Sequence, residues 1–400
     1  MFSELLHPDV QSFIRQHETD DVNALILKTG VVHGIPIARV ADQIVGKRKS
    51  KDKLPSYYSG RGIIFPPSLN LEQCSSEKTA KFKAHILRTS VSERSRCADL
   101  TGGFGVDSLH LSNLFAEIQY VETNTDLLDI ARHNHLQLGA SGIKYYNTSA
   151  EQFLLDNKVP FDCIFIDPSR RSKEKRKIFS FVDCEPNVLT LLPLIFGHTS
   201  YLLVKASPFL DIKQALKELS SVKNVYVVSV DNECKELLFL CESGHTAEPA
   251  IEALNLSGAD TVTTFSFRFS DEQSQVVEFS EPLTFLYEPN ASILKAGAFK
   301  SVATRFNLKK LHPNTQLYTS EKLVDSFPGK IFRTLATVKP DQKALKEFFP
   351  QGQANVFTRN YPITSEGLKA KTKLNDGGDR FLIGFSGVNK KYLVAADRVR

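Results

Sequence analysis

Asp99-Leu-Thr-Gly-Gly-Phe-Gly105 decides the fold: it follows a short apolar strand and precedes a helix-like run from Val106 to Phe115. Glycines at a strand-to-helix turn let the backbone come close to a nucleotide-like ligand at the helix N-terminus. A turn without any ligand is the simpler alternative for this pattern taken alone. Two details favour S-adenosylmethionine over a dinucleotide. Ser108 occupies the place of the third fingerprint glycine, and Asp99 precedes the glycines, where a carboxylate can meet a ligand ammonium.

Apolar runs that alternate with helical stretches predict the rest of a doubly wound α/β sheet. The predicted strands cover residues 118–123, 143–148, 161–167, 200–207, 225–230 and 236–242. Ligands of such sheets bind at the carboxyl ends of the strands. Glu122, Ser149 and Asp167 all fall at that edge, together with Asp99. A carboxylate in the position of Glu122 suits a ribose diol.

Residues 76–243 resemble the class I S-adenosylmethionine-dependent methyltransferases. The resemblance rests on the Asp-x-x-x-Gly-x-Gly loop, the acid after the second strand and Asp167-Pro168 after the fourth. It implies a seven-stranded Rossmann-like methyltransferase sheet with S-adenosyl-L-methionine as the cofactor. Asp99 would meet the methionine end of the cofactor and Glu122 its ribose, and the chain near Ser149 would edge the adenine. The cofactor-binding residues that follow are Asp99, Thr101, Gly103, Gly105, Glu122, Ser149, Ala150 and Asp167.

The chain leaves the fourth strand as Asp167-Pro-Ser-Arg-Arg171 and continues into a basic loop that ends at Lys177. Asp167, Pro168 and Ser169 are predicted to line the point of methyl transfer, and Arg170 and Arg171 to hold phosphate of the substrate. Enzymes that methylate nitrogens of a flipped base often place an aromatic residue where Arg170 stands, which argues against that chemistry. A solvated surface loop is the simpler alternative.

Lys83, Asp167, Lys205 and Glu236 resemble, in order and rough spacing, the Lys-Asp-Lys-Glu tetrad of the ribose 2′-O-methyltransferases. Lys205 would be the central catalytic residue, because a lysine beside the methyl donor can deprotonate or orient a hydroxyl. A plain ion pair between Lys205 and Asp167, with the other two residues at the surface, is the alternative.

The flanks extend the resemblance along nearly the whole chain, through residues 70–83, 287–300 and 361–393. Together with the central domain they are similar to class I methyltransferases that carry a ferredoxin-like segment and a C-terminal THUMP-like domain. The predicted domains are a helical N-terminal segment (1–75), the methyltransferase domain (76–285), the ferredoxin-like segment (286–330) and the THUMP-like domain (331–400). Proper THUMP domains accompany RNA-modifying enzymes, so the resemblance implies a structured RNA as partner.

Charge is distributed unevenly along the chain. Residues 286–400 carry a formal charge of +11, whereas residues 1–285 carry −6 and the whole chain +5. This asymmetry favours a polyanion partner for the C-terminal part, with a merely solvated basic surface as the alternative.

Length and composition predict a cytoplasmic globular protein of two or three domains, without a membrane-spanning segment or a secretory signal. The six cysteines form no Cys-x-x-Cys pair, so we expect reduced thiols and no metal site. In the N-terminal segment, the apolar spacing predicts short helices over residues 9–15, 22–28 and 37–44, followed by a basic turn over residues 47–53.

The function predicted from the sequence is S-adenosylmethionine-dependent methylation of tRNA or rRNA, with the RNA docked by the basic C-terminal domain. A strong general base is not obligatory, because methyl transfer can run largely on alignment of the acceptor with the methyl group. The alternatives are a methyltransferase with a protein or small-molecule acceptor, and a non-catalytic RNA-binding protein.

Overall fold

The structure is a computed structural model that describes residues 2–170, 180–258 and 261–399. The chain divides into two compact units, the first comprising Met1–Asn224 and Leu237–Ala247, the second Val225–Glu236 and Glu248–Arg400. Within the described ranges, no helix combines the length and the apolar character that crossing a membrane requires.

A mostly parallel sheet forms the centre of the first unit. The strands of this unit, of which the last two run on into residues of the second unit, are β1 (Val31–Val32), β2 (Ile35–Pro36), β3 (Arg96–Asp99), β4 (Glu117–Val121), β5 (Ile143–Tyr146), β6 (Cys163–Ile166), β7 (Ser169–Arg170), β8 (Cys184–Glu185), β9 (Tyr201–Ala206), β10 (Val222–Val230) and β11 (Glu233–Glu242). The main sheet has nine strands, of which seven have the order β10-β11-β9-β6-β3-β4-β5, and two later strands continue the sheet beyond β10. All pairings from β9 to β5 are parallel, and β11 is antiparallel to β9. The doubly wound sheet predicted from the sequence is therefore confirmed.

The topology places the predicted site residues at one edge. Chain order reverses between β3 and β6, so the carboxyl ends of these two strands flank the switch point where ligands of such sheets bind. Asp99 ends β3, and Asp167 follows β6 directly.

Helices surround this sheet and form the N-terminal segment. They are α1 (Pro8–Gln16), α2 (Val22–Lys28), α3 (Ile37–Lys53), α4 (Pro55–Ser59), α5 (Ser68–Gln73), α6 (Glu77–Ser90), α7 (Val106–Leu111), α8 (Thr125–Gln137), α9 (Ala150–Asp156), α10 (Val188–Phe196) and α11 (Ile212–Glu218). The three N-terminal helices predicted from apolar spacing are confirmed. The segment is fixed to α8 by Asn134, whose buried side-chain amide exchanges hydrogen bonds of 2.9 and 2.8 Å with the backbone N–H and carbonyl of Ile64.

The predicted basic turn over residues 47–53 is wrong, because α3 runs on to Lys53. Hydrogen bonds satisfy polar side chains of this last part of α3. Lys53 donates hydrogen bonds to the carbonyls of Leu71 and Glu72 at 2.7 and 2.8 Å, and the buried Ser50 hydroxyl donates to the carbonyl of Gly46 at 2.9 Å. These partners are distant in sequence, except for Gly46, so charge density alone misreads the segment.

A second sheet forms most of the second unit. The further strands are β12 (Ala250–Ser257), β13 (Thr261–Phe267), β14 (Phe285–Pro289), β15 (Lys309–His312), β16 (Thr315–Ser320), β17 (Gly329–Thr337), β18 (Asn355–Arg359), β19 (Arg380–Ser386) and β20 (Lys391–Arg398). The helices are α12 (Phe269–Ser274), α13 (Ala291–Ala296), α14 (Phe299–Arg305), α15 (Gln342–Phe348) and α16 (Ser365–Thr372). Seven strands pair in the order β15-β16-β14-β17-β20-β19-β18, so strands before and after residue 330 share one sheet.

β19 and β20 form an antiparallel hairpin. The antiparallel pair of β12 and β13 belongs to the main sheet, where β12 neighbours β10, and is an addition that the sequence did not predict.

Candidate functional site

The loop between β3 and α7 has a backbone that only glycine adopts without strain. Gly103 and Gly105 have φ angles of +56° and +82°. A Cβ atom on Gly105 would lie 2.5 Å from Nε2 of His135, and a Cβ atom on Gly102 would overlap the ring of Tyr120. Three glycines are thus required here, of which the sequence pattern singled out two.

Two buried side chains hold this loop from below. The Tyr120 hydroxyl donates a hydrogen bond to the carbonyl of Gly103 at 2.6 Å. His135 Nε2 donates to the carbonyl of Gly105 at 2.8 Å, and its Nδ1 accepts from the Tyr145 hydroxyl at 2.9 Å. Burial lowers the pKa of His135 to about 4, because a charged imidazole would lose its hydration there. Neither residue was singled out from the sequence, because no local motif marks them.

Asp99 lies beneath the loop and is 1% exposed. Its carboxylate accepts hydrogen bonds from the Ser108 hydroxyl at 2.6 Å and from the Thr101 N–H at 3.1 Å. Burial raises the pKa of Asp99 to about 7, helped by the charges of Asp107 and Asp167 and opposed by these two hydrogen bonds. Asp99 therefore organises the loop. Its contact with a cofactor ammonium stays a prediction.

Glu122 follows β4 and reaches the same loop. One carboxylate oxygen accepts a hydrogen bond from the Gly103 N–H at 2.8 Å, and the other accepts from the Asn124 N–H at 2.7 Å. The Thr123 hydroxyl donates to the second oxygen as well, at 3.3 Å. A carboxylate offers about four acceptor positions, so capacity remains for one ribose hydroxyl. Ser149 caps α9 by accepting from the Gln152 N–H at 3.1 Å, and Ala150 behind it is buried.

The chain after β6 is tied to both neighbouring strand ends. The Asp167 N–H donates to the Thr101 hydroxyl at 2.7 Å, and the Asp167 carboxylate forms an ion pair with Lys205 at the end of β9. Pro168 is half-buried and Ser169 is exposed. Ser169 pairs with Glu185 through the short β7–β8 ladder. The structure thus brings Thr101, Asp167 and Lys205 together.

The two predicted phosphate-holding arginines differ in what can be described. The backbone of Arg170 lies in β7, where it pairs with Cys184. Arg171 and the rest of the predicted basic loop, up to residue 179, lie outside the described residues.

Lys83 has a partner that the sequence did not indicate. Its ammonium lies 3.0 Å from a carboxylate oxygen of Asp107 and donates a hydrogen bond to the Ser75 hydroxyl at 2.8 Å. Ser75 in turn donates to Asp107 at 2.7 Å. Burial alone would raise the pKa of Asp107. The positive charges of Lys83 and Lys205 and these hydrogen bonds outweigh it and hold the pKa below its ordinary value.

The four residues of the predicted tetrad comprise members of two ion pairs and one buried glutamate, and the tetrad itself stays a prediction. Lys83 is 1% exposed and belongs to the Asp107 pair, whereas Lys205 belongs to the Asp167 pair. Glu236 is buried and belongs to the second compact unit. The surface positions that the alternative assigned to Lys83 and Glu236 are therefore wrong, because both side chains are buried.

The C-terminal part of the chain matches two described domain families. Residues 285–328 match a ferredoxin-like domain, and residues 329–398 match a domain described as THUMP domain-like.

Two relatives resemble longer parts of the chain. A crystal structure of a candidate methyltransferase from Porphyromonas gingivalis W83 is 29% identical, covers 98% of each chain and has a TM-score of 0.85. An uncharacterised RNA methyltransferase of Mycoplasma mobile is 26% identical over 169 residues, which make up 40% of this chain. The match spans 44% of that relative's length.

Proposed function

We propose that this chain, a class I methyltransferase with ferredoxin-like and THUMP-like domains, transfers a methyl group from S-adenosylmethionine to RNA. The observation that carries the proposal is the glycine loop itself. Its backbone is held by Tyr120, His135 and Glu122 at the edge of the sheet where Asp167 and Lys205 also meet.

The residues of this edge fit S-adenosylmethionine. Gly103 and Gly105 form a cradle that side chains would fill or strain, and the carboxylate of Glu122 has an acceptor position left for a ribose hydroxyl. The cofactor supplies an electrophilic methyl group. The chain supplies alignment. Thr101 fixes the backbone of Asp167, and the ion pair with Lys205 fixes the Asp167 carboxylate. These fixed groups can align the methyl acceptor with the methyl group.

Several observations support RNA as the acceptor. Lys339, Lys343, Lys346, Lys371 and Lys373 are exposed and form no hydrogen bond or ion pair with any part of the chain that the structure describes. Unpaired cations of this kind favour phosphate. The THUMP-like match covers all five lysines, and one relative carries the name RNA methyltransferase.

The test is transfer of labelled methyl groups into extract from cells that lack the gene, with matched samples treated with nuclease or protease. We expect nuclease to remove the label, and nucleoside digestion then identifies the methylated atom. Label that resists nuclease and is lost to protease, or that is found in small molecules, would exclude an RNA acceptor.

Two variants control for the enzyme in this assay. Glu122→Gln removes a charge from the proposed ribose contact, so we expect it to abolish most transfer. Glu151→Gln removes a charge from an exposed position on α9, and we expect transfer close to that of the unmodified protein. Equal loss in both variants would mean that the site does not lie at the glycine loop.

A further inference from the structure

The N-terminal segment of the first unit forms an open cavity of about 800 Å³, which the glycine loop and its neighbouring strand ends do not line. Its apolar walls include Leu6, Ile14, Tyr57, Ile63 and Phe65. A cavity of this size accommodates a ligand as large as a nucleotide.

Three cations line the cavity, and among its described lining residues none is acidic. They are Arg15 at the end of α1, Lys47 in the middle of α3, and Arg61 between two glycines. Lys47 donates to the carbonyl of Tyr58 at 2.7 Å, and burial lowers its pKa. Glu18 lies near enough to Lys47 to oppose that shift, whereas Arg15 adds to it. The local balance of charge stays positive.

Among the described residues, neither of the two arginines has a polar partner. Arg15 and Arg61 are exposed and form no hydrogen bond or ion pair with any described residue. A cation at the C-terminal end of a helix, such as Arg15, is favourable in its own right. Arg61 has no such reason, because it stands in the turn Gly60-Arg61-Gly62 outside any helix.

Tyr57 joins the cavity wall to the candidate functional site. Its ring lies 4.9 Å, between centroids, from the ring of Phe104 in the glycine loop. Its side chain is 1% exposed, and its hydroxyl has no hydrogen-bond partner among the described residues. The carboxylate of Asp107 acts electrostatically on this hydroxyl and is itself influenced by Lys205. The cavity therefore shares a wall with the elements that hold the cofactor loop.

We propose that this cavity binds one nucleotide of the RNA substrate, with the base against the apolar wall and the phosphates on Arg15, Lys47 and Arg61. The inference rests on the proposed function for the identity of the polymer. The apolar wall and the three cations of the cavity suit a planar apolar group that carries phosphate. A free nucleotide has the same chemistry as a nucleotide within RNA. Adjacency to the glycine loop favours the polymer, because substrate and cofactor must meet.

Binding of a fluorescein-labelled single-stranded oligoribonucleotide of mixed sequence to the full chain tests the proposal. We expect the double variant Arg15→Ala/Arg61→Ala to bind about tenfold more weakly. It should also lower the slope of log affinity against log salt by about 2, because each lost phosphate contact lowers it by about 1. The control is Arg39→Ala, on α3 beside Glu4 and outside the cavity, which should leave both quantities nearly unchanged.

A second measurement on the unmodified protein uses the same oligoribonucleotide with 4-thiouridine, photocrosslinked and mapped by mass spectrometry. Crosslinks to residues 57–65 support the proposal. Unchanged affinity and salt slope in the double variant, with crosslinks elsewhere, overturn it. Saturable binding of nucleoside monophosphates without binding of the oligoribonucleotide would also overturn it, in favour of a free nucleotide.

The two proposals fail separately in these assays. Methylated RNA together with an unaffected double variant removes the cavity assignment and leaves the function standing. Arginine-dependent binding and crosslinking together with protease-sensitive label would remove RNA methylation and leave the nucleotide site standing.

Discussion

His135 donates a hydrogen bond to the carbonyl of Gly105 across 30 residues of sequence, and its Nε2 occupies the space that a side chain on Gly105 would need. One interaction therefore serves two purposes. It satisfies a buried carbonyl beneath the loop, and it explains why residue 105 has no Cβ atom. The loop owes its shape to the packing of α8 as much as to its own glycines.

The first prediction concerns Gly105→Ala. The variant combines a left-handed φ of +82° with a steric conflict at His135, whereas Gly139→Ala has a similar φ of +75° and no atom within 4 Å. We expect Gly139→Ala to lower the free energy of unfolding by about 1 kcal/mol. Gly105→Ala should lower it by clearly more and weaken S-adenosylmethionine binding. Chemical denaturation and calorimetric titration measure both effects. Equal destabilisation by the two variants would show that the His135 side chain moves aside at no cost in stability.

The second prediction concerns acid. The pKa of His135 is lowered to about 4 in the folded chain, below the ordinary value of 6.5. The unfolded chain therefore takes up this proton at a higher pH than the folded chain does, and stability falls as the pH drops from 6.5 towards 4. Between pH 7 and pH 5 this one residue should remove about 2 kcal/mol.

Urea denaturation of the unmodified protein and of His135→Gln at both pH values measures the contribution of that residue. The glutamine variant should show a smaller loss between pH 7 and pH 5. Identical losses in the two proteins would mean that His135 does not stay neutral in the fold.

The third prediction concerns the charge of Asp99 and the stability of the protein between pH 4 and pH 8. Burial raises the pKa of Asp99 to about 7, above the ordinary value of 3.8, so the folded chain holds this proton more tightly than the unfolded chain does. Stability should fall as the pH rises from about 4 to about 7. Asp99→Asn removes this cost, so at pH 8 we expect the variant to be more stable by about 4 kcal/mol, and by much less at pH 4.

Binding of S-adenosylmethionine gives a second measurement on the same residue. A ligand ammonium favours the charged carboxylate, so we expect affinity to increase between pH 6 and pH 8 in the unmodified protein and to stay flat and weaker in Asp99→Asn. PH-independent affinity in both proteins would place Asp99 out of contact with the cofactor.

The fourth prediction concerns the buried pair of Lys83 and Asp107. Lys83→Met leaves Asp107 without its nearest cation, and we expect a loss of roughly 3–5 kcal/mol in the free energy of unfolding. Adding Asp107→Asn should recover much of the loss, because no buried charge then remains unpaired. Thermal denaturation of the two variants tests this. A double variant as unstable as the single one would show that packing, and not charge, sets the cost.

The fifth prediction concerns Lys205. Since Lys205 pairs with Asp167 at the proposed point of transfer, Lys205→Met should lower kcat by at least about tenfold and leave S-adenosylmethionine affinity largely unchanged. Lys205→Arg keeps the charge and should retain part of the rate. If Lys205→Met left methyl transfer to a confirmed substrate unchanged, the tetrad hypothesis would be abandoned.

Strands and loop could be predicted from the sequence because their signals are local. Apolar runs that end in Asp99, Glu122 and Asp167 fix the sheet edge, and two glycines mark the turn. The antiparallel strands Ala250–Ser257 and Thr261–Phe267 carry weaker alternation and adjoin no motif, so the sequence does not predict them.

The supports of the site could not be predicted in this way, because they depend on pairs far apart in sequence. Lys83 meets Asp107 and His135 meets Gly105, and the residue types alone do not reveal either pairing. The same reason explains the error at residues 47–53. The lysines and arginine of this segment suggest a solvated turn in the sequence. In the structure, Lys53 donates hydrogen bonds to two carbonyls of α5, which lie 18 and 19 residues further along the chain.

The strand Phe285–Pro289 pairs with Thr315–Ser320 on one side and with Gly329–Thr337 on the other. The first two strands belong to the ferredoxin-like segment and the third to the THUMP-like segment, so the two segments share one sheet. Their shared boundary is therefore a poor breakpoint for recombination. A gene fusion or loss that separated them there would expose an unpaired strand edge in both halves. We expect the two segments to be inherited as one piece, and an isolated copy of either to be prone to aggregation.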